Sequence, residues 1–467
     1  MALVAELRGE LVAALAELER ARDRIAELEA QVGQNSQNSS RPPSSDGLAK
    51  PAPRSLRERG KRKPGGQQGH PGATLNAVAV PDREVPHEPA CCSGCGAGLA
   101  DRPVTGVVRR QVFDLPPVAV RVSEHQLIER ECGCGVRTRG RAPDGIDAPV
   151  QYGPRIAAIV VYLYVGQFLS RARTAAALAE LFGTPISAGT VASMTARAAR
   201  KLSGFAEVVA EQITRAPAAH FDETGFRVAG ALRWVHSAST GKYVLITVHD
   251  KRGVKAMDAA GVLPHFTGIA HHDAWAPYDT YTHMTHALCN AHLLRELAAV
   301  TDHSAAGSWC WAEQAAEALR ELKHLVDAAH PEHAEHADLA AADPAQLAEA
   351  ISRYRSAAAI GASQTAPRAT KLMAKHHALA RRMIDRQDDY LRFTHDPHAA
   401  FDNNAAEREI RMIKLRQKVS GCLRTLTGAE QFCAIRSYLA TAAKHGIHFF
   451  ESLVALTTGH PWLPEPA

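Results

Sequence analysis

The hydrophobic periodicity of this chain changes from helical to strand-like near Ala218, and this change most constrains the fold. Residues 150–215 carry apolar side chains at the three- and four-residue spacing of amphipathic helices. Short apolar runs typical of strands follow instead. In order, the predicted elements are strands around residues 218–222, 232–236 and 243–248, a helix over 254–263 and a fourth strand over 267–272. The chain therefore predicts an α/β core preceded by helices.

Two aspartates lie where predicted strands end. Asp222 follows the first strand, and Asp273 follows the fourth. Three strands, a helix and a fourth strand is the order of the ribonuclease-H-like fold, in which the first and fourth strands are neighbours. Close carboxylates repel each other unless a cation lies between them, so we predict a divalent-metal site there. Asp279 is the alternative to Asp273.

A third acid, Glu407, lies early in a predicted helix. Asp402 is a suitable N-cap, and strong helix formers follow from Ala405. Lys414 is two turns beyond Glu407 on nearly the same face. A carboxylate for metal and a cation for phosphate would thus point the same way. Asp402 and Glu409 are the alternatives to Glu407.

Five of the nine cysteines lie within residues 91–134. A Cys-x-x-Cys pair in a glycine-bearing turn is one half of a zinc knuckle, and four thiolates close a tetrahedral structural site. We predict structural Zn²⁺ here, with Cys91 and His87 as competing ligands. The Val-rich stretch over 107–128 predicts a strand pair. The predicted zinc ligands are Cys92, Cys95, Cys132 and Cys134.

Residues 1–33 have a heptad pattern over about four repeats. Such a seam cannot be buried by one helix alone, so we predict a coiled coil through which the chain self-associates. An amphipathic helix packed on its own domain is the alternative. The a positions are Val4, Leu11, Leu18, Ile25 and Val32, and the d positions are Leu7, Ala14, Ala21 and Leu28.

The following segment, 34–79, is polar and carries concentrated positive charge. The whole chain has a net charge of +5, yet seven Lys or Arg and a single Glu lie between Lys50 and Lys63. A local basic run predicts a polyanion such as DNA, whose phosphates release counterions on binding. A solvated linker is the alternative. The candidate DNA-binding residues here are Arg59, Lys61, Arg62 and Lys63.

A helix-turn-helix pattern lies in the helical region. One predicted helix ends at Gly183, and Ser187 caps another that runs to about Leu202. A short turn between two helices is how a helix-turn-helix reader of DNA is built. An αα-hairpin without a DNA role is the alternative.

In combination, these motifs resemble one family, the large transposase of the insertion-sequence-sixty-six group of DDE transposases. Asp222, Asp273 and Glu407 match the three acids, and Lys414 completes the Glu-x6-Lys spacing. The motifs occur in order from residue 37 to residue 408, so the resemblance covers most of the chain. They are Gln37-Asn-Ser-Ser-Arg-Pro-Pro-Ser-Ser-Asp46, Lys63-Pro-Gly-Gly-Gln-Gln-Gly-His-Pro-Gly72, the cysteine pairs, Phe221-Asp-Glu-Thr224 and Asp402-Asn-Asn-Ala-Ala-Glu-Arg408.

The resemblance implies phosphodiester chemistry without a covalent enzyme intermediate. Two Mg²⁺ ions, or Mn²⁺, held by the three acids would activate water to cut at the element end and then align the 3′-hydroxyl for attack on target DNA. Arg411 and Lys414 would contact phosphates. The implied partners are the element's terminal repeats, target DNA and helper proteins of the same element. The implied location is the bacterial cytoplasm, at the nucleoid. In agreement with this, the longest apolar run, 156–165, is too short to span a membrane.

Two stretches depart from the family pattern. Asp273-Ala-Trp275 stands where many members have Asp-Gly-Tyr, and Cys289-Asn-Ala-His292-Leu-Leu-Arg295-Glu296 stands where many have Cys-Trp-Ala-His-x-x-Arg-Arg. Glu296 removes one expected phosphate contact. We interpret Cys289 and His292 as structural support for the site, since a zinc ion there would need two more ligands.

Other functional classes fit parts of the pattern. His271 and His272 beside Asp273 suggest a zinc hydrolase, although a chain with 24 histidines places two together by chance. A non-catalytic DNA-binding protein is disfavoured by the three acids. A nuclease of the same fold without strand transfer is disfavoured by the coiled coil and the separate end-binding modules, because pairing two DNA ends requires an oligomer.

The length of 467 residues and the ordinary globular composition, 46% hydrophobic and 22% charged, predict several domains. The predicted domains are a coiled coil (1–33), a flexible basic linker (34–79), a small zinc-binding module (80–148), a helical DNA-binding region (149–215), the first part of the ribonuclease-H-like catalytic core (216–288), a helical insertion (289–400) and the end of that core (401–467).

Overall fold

The computed structural model describes residues 2–35, 37–39, 75–304, 308–329 and 343–464. They form an N-terminal helix, a cysteine-bearing segment with a small hairpin, and a mixed α/β core around a five-stranded sheet. The candidate DNA-binding residues Arg59, Lys61, Arg62 and Lys63 lie outside the described residues. None of the helices described in this structure is long and apolar enough to cross a membrane.

Helix α1 (Ala2–Val32) confirms the predicted N-terminal helix. Ala30 near its end is buried, but its large apolar residues lie in solvent: Leu11 is 60% exposed, Leu18 49% and Ile25 55%. The alternative, a helix whose apolar face packs on its own domain, does not fit this exposure. The predicted self-association stays a prediction.

The cysteine-bearing segment contains the antiparallel hairpin of β1 (Glu129–Glu131) and β2 (Arg137–Arg139). The strand pair predicted over 107–128 is wrong, because those residues are described and belong to no strand. Val107 and Val112 are 78% and 90% exposed. Valine favours strands where a packed layer covers one face of the sheet, and no such layer covers this segment.

Helices α2 to α5 lie between the cysteine-bearing segment and the sheet, and local signals set the ends of α3 and α4. Ser187 caps α4 through the Thr190 N–H, and Gly183 ends α3 in the left-handed region with φ of 58°. The two helices predicted around the turn are thus present. Their role in DNA binding stays a prediction. The helices are α2 (Pro154–Val161, continued by a π turn over Tyr162–Gly166), α3 (Arg171–Phe182), α4 (Ala188–Arg200) and α5 (Phe205–Thr214).

The sheet has the order β5-β4-β3-β6-β7, with β3 in the centre. The predicted neighbourhood of the first and fourth strands is confirmed, because β3 pairs with β6 in parallel. The helix between β5 and β6 is shorter than predicted, and the fifth strand was not predicted. The elements are β3 (Ala218–Val228), β4 (Ala231–Ser239), β5 (Val244–His249), α6 (Val254–Ala259), β6 (Ile269–His272) and β7 (Thr285–Leu288).

Two hydrophobic cores lie around this sheet. The first joins β3, β4 and β5 to the preceding helices and to the C-terminal ones, and the second joins β6 and β7 to the helices that follow them. The remaining helices are α7 (Asn290–Asp302), α8 (Trp311–Ala328), α9 (Pro344–Gln364), α10 (Lys371–Asp385), α11 (Gln387–Leu391), α12 (Asn404–Ser420), α13 (Leu426–Lys444) and α14 (Phe449–Thr458).

The open edge of β5 is covered by hydroxyl groups of α13. The Ile246 N–H donates to Ser437 Oγ at 2.8 Å, and the Val244 N–H donates to Thr441 Oγ1 at 3.1 Å. An uncovered edge strand is a template for pairing with other chains, so these bonds close the sheet on this side. They also fix α13 against the sheet.

The close approach of α8 and α9 depends on Gly361. A Cβ placed there would lie 2.5 Å from the ring of buried Trp311. Gly361→Ala is expected to lower the free energy of unfolding by about 1–3 kcal/mol, because overpacking outweighs the helix propensity that alanine adds. Chemical denaturation measures it. Gly241→Ala, which adds a Cβ in open space, is the control; an unchanged Gly361→Ala protein would contradict the packing.

Candidate active site

The pairing of β3 with β6 brings two of the predicted acids to one level of the sheet. His220 pairs with His271, and Asp222 and Asp273 each stand two residues further along. Because side chains alternate along a strand, both carboxylates lie on the same side as this pair. Asp222 is not at a strand end as predicted, since β3 continues to Val228.

Burial and mutual repulsion make the two aspartates hard to ionise. The pKa of Asp222 is raised well above its ordinary value, first by desolvation and then by the charges of Glu223, Asp273 and Glu407. Desolvation also raises the pKa of Asp273, to which Glu407 adds. The three predicted acids are therefore close enough to act on one another.

Glu407 lies in the first turn of α12 and is held by cations. Arg411 Nη2 is 3.0 Å from Oε2, and Arg295 Nη2 is 3.5 Å from Oε1. His292 Nδ1 lies 3.9 Å from Oε1. Desolvation, with the charge of Arg295, lowers the pKa of His292 to about 3, so this ring is neutral. Two arginines therefore balance the carboxylate.

Cys289 and Asn403 connect α7 and α12 to the sheet beside the acids. The Asn403 N–H donates to Cys289 Sγ at 3.2 Å, and burial raises the pKa of this thiol to about 12. Asn403 Nδ2 donates to the Phe221 carbonyl at 2.7 Å, and its Oδ1 is 2.9 Å from His220 Nδ1. Cys289 is thus a neutral acceptor, which suits the structural role predicted for it.

The start of α12 differs by one residue from the prediction. Asn403, not Asp402, is the N-cap. Its carbonyl accepts from the Glu407 N–H, while its side chain binds β3 instead of capping the helix. Asp402 Oδ1 accepts from the Asn404 N–H at 3.0 Å instead. The contacts of Asn403 were not predicted from the sequence. Its position in the motif over residues 402–408, which also contains Glu407, was the only available signal.

A second buried carboxylate, Glu223, adjoins Asp222 and was also not predicted to act. Arg252 Nη2 lies 2.7 Å from its Oε1, and the Tyr278 hydroxyl donates to Oε2 at 2.8 Å. Burial raises the pKa of Glu223, and the Arg252 guanidinium counteracts that shift. Its position in the Phe221-Asp-Glu-Thr224 motif was the available signal.

Two of the alternative acids, Asp279 and Glu409, take part in ion pairs. Arg386 Nη1 lies 2.7 Å from Asp279, and Lys444 Nζ lies 3.9 Å from Glu409. Glu296, which replaces a basic residue of the family pattern, pairs with Arg382 on α10. Asp279 and Glu409 are therefore engaged in ion pairs, while Glu296 and its partner Arg382 lie near enough to Asp273 to interact with its charge.

The two cations proposed for phosphate differ in accessibility. The Arg411 side chain is 61% exposed. Lys414 Nζ donates to the Gly225 carbonyl at 2.6 Å, and desolvation lowers its pKa. Arg411 is thus open to a ligand from solvent, whereas Lys414 binds the backbone of β3.

His271 and His272 serve the fold rather than a zinc site. The Ala400 N–H donates to His271 Nε2 at 2.7 Å, and His272 Nε2 is 2.9 Å from His286 Nδ1. Burial lowers the pKa of both to about 3. Each ring is neutral and engaged in structural hydrogen bonds.

The carboxylate oxygens of the three acids suit a hard divalent cation, but they do not surround a common centre. Carboxylate oxygens are the ligands that Mg²⁺ and Mn²⁺ prefer. Across the described ranges, no three His, Cys, Asp or Glu side chains are gathered closely enough to hold a metal. Glu407 is turned to its arginines, so joining the two aspartates at a metal would require its side chain to move.

The two cysteine pairs lie in two similar turns. In the first, the Gly96 N–H donates to the Cys92 carbonyl at 2.9 Å; in the second, the Gly135 N–H donates to the Cys132 carbonyl at 2.8 Å. Both glycines have positive φ, of 74° and 84°. Hydrogen bonds from backbone groups of Cys95 and of Cys134, respectively, lower the pKa of Cys92 and Cys132. Each turn thus favours the thiolate of its first cysteine, the form that binds zinc.

Asn403→Ala is expected to destabilise the fold by about 1–3 kcal/mol, because it removes the donor to the buried Phe221 carbonyl. Thermal and chemical unfolding measure the change. Asn404→Ala is the matched control, since that side chain bonds only Asp402 at the surface and its loss is expected to cost less than about 0.5 kcal/mol. Equal effects of the two changes would show that Asn403 does not hold α12 to β3.

Models of known protein families match three successive parts of this chain. Residues 89–135, which include both cysteine pairs, match the zinc-finger binding domain of transposase IS66. Residues 1–76 match a family of unknown function, DUF6444. A search of curated proteins finds no match. Residues 149–431, more than half of the chain and all three acids, match the model of the Transposase IS66 family. The chain therefore belongs to the IS66 family of transposases and carries the zinc-finger domain of that family.

Proposed function

We propose that this chain cuts and joins DNA by a DDE mechanism, with Asp222, Asp273 and Glu407 as its catalytic and metal-binding acids. The observation that carries the proposal is the parallel β3–β6 pairing, which sets the two aspartates at one level of the sheet. Glu407 adds to the charge repulsion at both. Membership of a transposase family supports DNA as the substrate.

The core is proposed to be ribonuclease-H-like. Three antiparallel strands, β3, β4 and β5, are followed by α6 and then by β6 and β7, which continue the sheet in parallel on the other side of β3. The order from β3 to β6 is the one expected from the sequence, and β7 adds a strand that was not predicted. Helices α7–α11 interrupt the core between the second and third acids as the proposed insertion.

The residues around the acids orient them for phosphodiester chemistry. The backbone N–H of Glu223 donates to Asp222, and that of Trp275 donates to Asp273. When bound, two Mg²⁺ ions, or Mn²⁺, held by the three acids would lower the pKa of the attacking water or 3′-hydroxyl and offset charge on the phosphate. The exposed Arg411 guanidinium, freed from Glu407, would bind a DNA phosphate.

The other modules are proposed to hold and pair the DNA. The zinc finger, the basic linker with Arg59, Lys61, Arg62 and Lys63, and the α3–α4 pair would contact the terminal repeats, with Lys414 near the cut strand. Contacts between the exposed seams of two α1 helices would join two end-bound copies. Target DNA and helper proteins of the same element are the other proposed partners. The proposed domain boundaries are those predicted from the sequence.

Asp222→Asn is expected to lower strand cleavage and joining by at least about 100-fold while leaving end binding unchanged, because it removes a charge that the reaction centre needs. Labelled element ends with Mg²⁺ measure cleavage, joining and binding separately. Asp279→Asn, which alters the alternative acid, is the matched control.

Full activity of Asp222→Asn, or loss in Asp279→Asn instead, would contradict the assignment of the acids. Nicking without joining by the native protein, even with helper proteins, would favour a nuclease. Binding without any chemistry would favour a non-catalytic DNA-binding protein.

The zinc of the finger domain is proposed to be held by Cys92, Cys95, Cys132 and Cys134. The first cysteine of each pair lies in a turn that favours its thiolate, and the matched domain spans both pairs. Cys92→Ser and Cys132→Ser are each expected to release the metal, leaving close to no zinc per chain by elemental analysis. Cys422→Ser, an exposed cysteine outside the domain, should retain it. Retention in the first two variants and loss in Cys91→Ser would reassign the ligands.

A further inference from the structure

We propose that Glu223, Arg252 and Trp275 form a positioning clamp that orients Asp222 and Asp273 together for metal binding. The inference rests on the metal-binding role proposed for these two aspartates. None of the three clamp residues is itself a proposed ligand. They lie beside the acids and connect the segments that follow them.

Glu223 is the anchor of the clamp. Its side chain is 1% exposed, and Arg252 binds one of its oxygens through two nitrogens, at 2.7 Å from Nη2 and 3.0 Å from Nε. The Tyr278 hydroxyl binds the other oxygen at 2.8 Å. Both carboxylate oxygens are therefore engaged by groups from outside β3.

Arg252 connects this anchor to the second acid. Its guanidinium lies 3.9 Å from the ring centre of Trp275 and 4.9 Å from that of Trp234. A cation between two indole faces is attracted by both, and the planar guanidinium suits such stacking. The position of Trp275, two residues beyond Asp273, is thus tied to Glu223.

Each aspartate receives a hydrogen bond from a clamp residue. The Glu223 N–H donates to Asp222 Oδ1 at 2.8 Å, and the Trp275 N–H donates to Asp273 Oδ1 at 3.1 Å. Because the side chains of the two donors meet at Arg252, one connected unit orients both carboxylates. Movement of either donor would misalign the acid that it holds.

Stability alone is a weak explanation for an ion pair whose carboxylate is buried, although the Arg252 side chain is 37% exposed. Desolvation of the Glu223 carboxylate offsets part of the attraction, and replacing buried ion pairs by apolar residues is often neutral or stabilising. Positioning of metal ligands by neighbouring hydrogen-bonded groups, in contrast, is a large effect, typically about 10- to 100-fold in metal affinity or activity.

The test is a titration of the full, zinc-loaded chain with Mn²⁺, followed by electron paramagnetic resonance of the free ion. Glu223→Gln and Arg252→Lys are each expected to weaken Mn²⁺ binding by about 10-fold or more. The double variant should bind no more weakly than the weaker single variant, because both act through one unit. Arg233→Gln, which breaks the 3.0 Å pair with Asp250 on the same sheet, should leave the affinity unchanged.

Cleavage gives a second readout. The Mn²⁺ concentration for half-maximal cleavage should rise by the same factor in the clamp variants, with the full rate regained at high Mn²⁺. Asp222→Asn should not recover at any concentration. If Glu223→Gln fails to fold, Arg252→Lys still provides the test, because it keeps a cation beside the buried carboxylate.

Unchanged Mn²⁺ affinity in the clamp variants, alongside a loss in Asp222→Asn, would overturn the clamp and leave the proposed function standing. A lowered melting temperature with unchanged affinity would also overturn it, because that is the result of a purely structural pair. Unchanged affinity in Asp222→Asn as well would overturn both proposals.

Discussion

The parallel pairing of β3 with β6 is the contact on which the rest of the candidate site depends. Three residue pairs, from Ala218–Ile269 to His220–His271, set the register of the two strands. A slip of one residue would turn one aspartate to the opposite face of the sheet. The rings of His220 and His271, two residues before the aspartates, stack with centroids 4.4 Å apart and support this register.

Several arginines around the acids balance the repulsion that this register creates. Arg252 pairs with Glu223, while Arg295 and Arg411 pair with Glu407. A backbone N–H is the contact that lowers the pKa of Asp222, and its pKa is raised further than that of Asp273. Of the two aspartates, Asp222 is thus the less compensated, and a divalent cation beside it would relieve the larger unfavourable energy.

The sequence predicted elements and neighbours well where periodicity and local caps determine them. The order of four strands, the ends of α3 and α4 and the adjacency of the two aspartates all follow from such signals. It failed over 107–128, because valine content cannot tell whether a layer is present to cover a strand. The roles of Asn403 and Arg252 also escaped prediction. Their partners are 182 and 29 residues away along the chain, and only the folded sheet brings them together.

The position of a bound divalent cation is the most direct test of this site. Anomalous scattering from crystals of the full chain grown with Mn²⁺ would locate the ion without dependence on activity. We expect Mn²⁺ between Asp222 and Asp273, with Glu407 turned from Arg295 towards it. Mn²⁺ bound at Asp279 or Glu409 instead, with the two aspartates free of metal at saturating concentration, would contradict the assignment of the DDE acids.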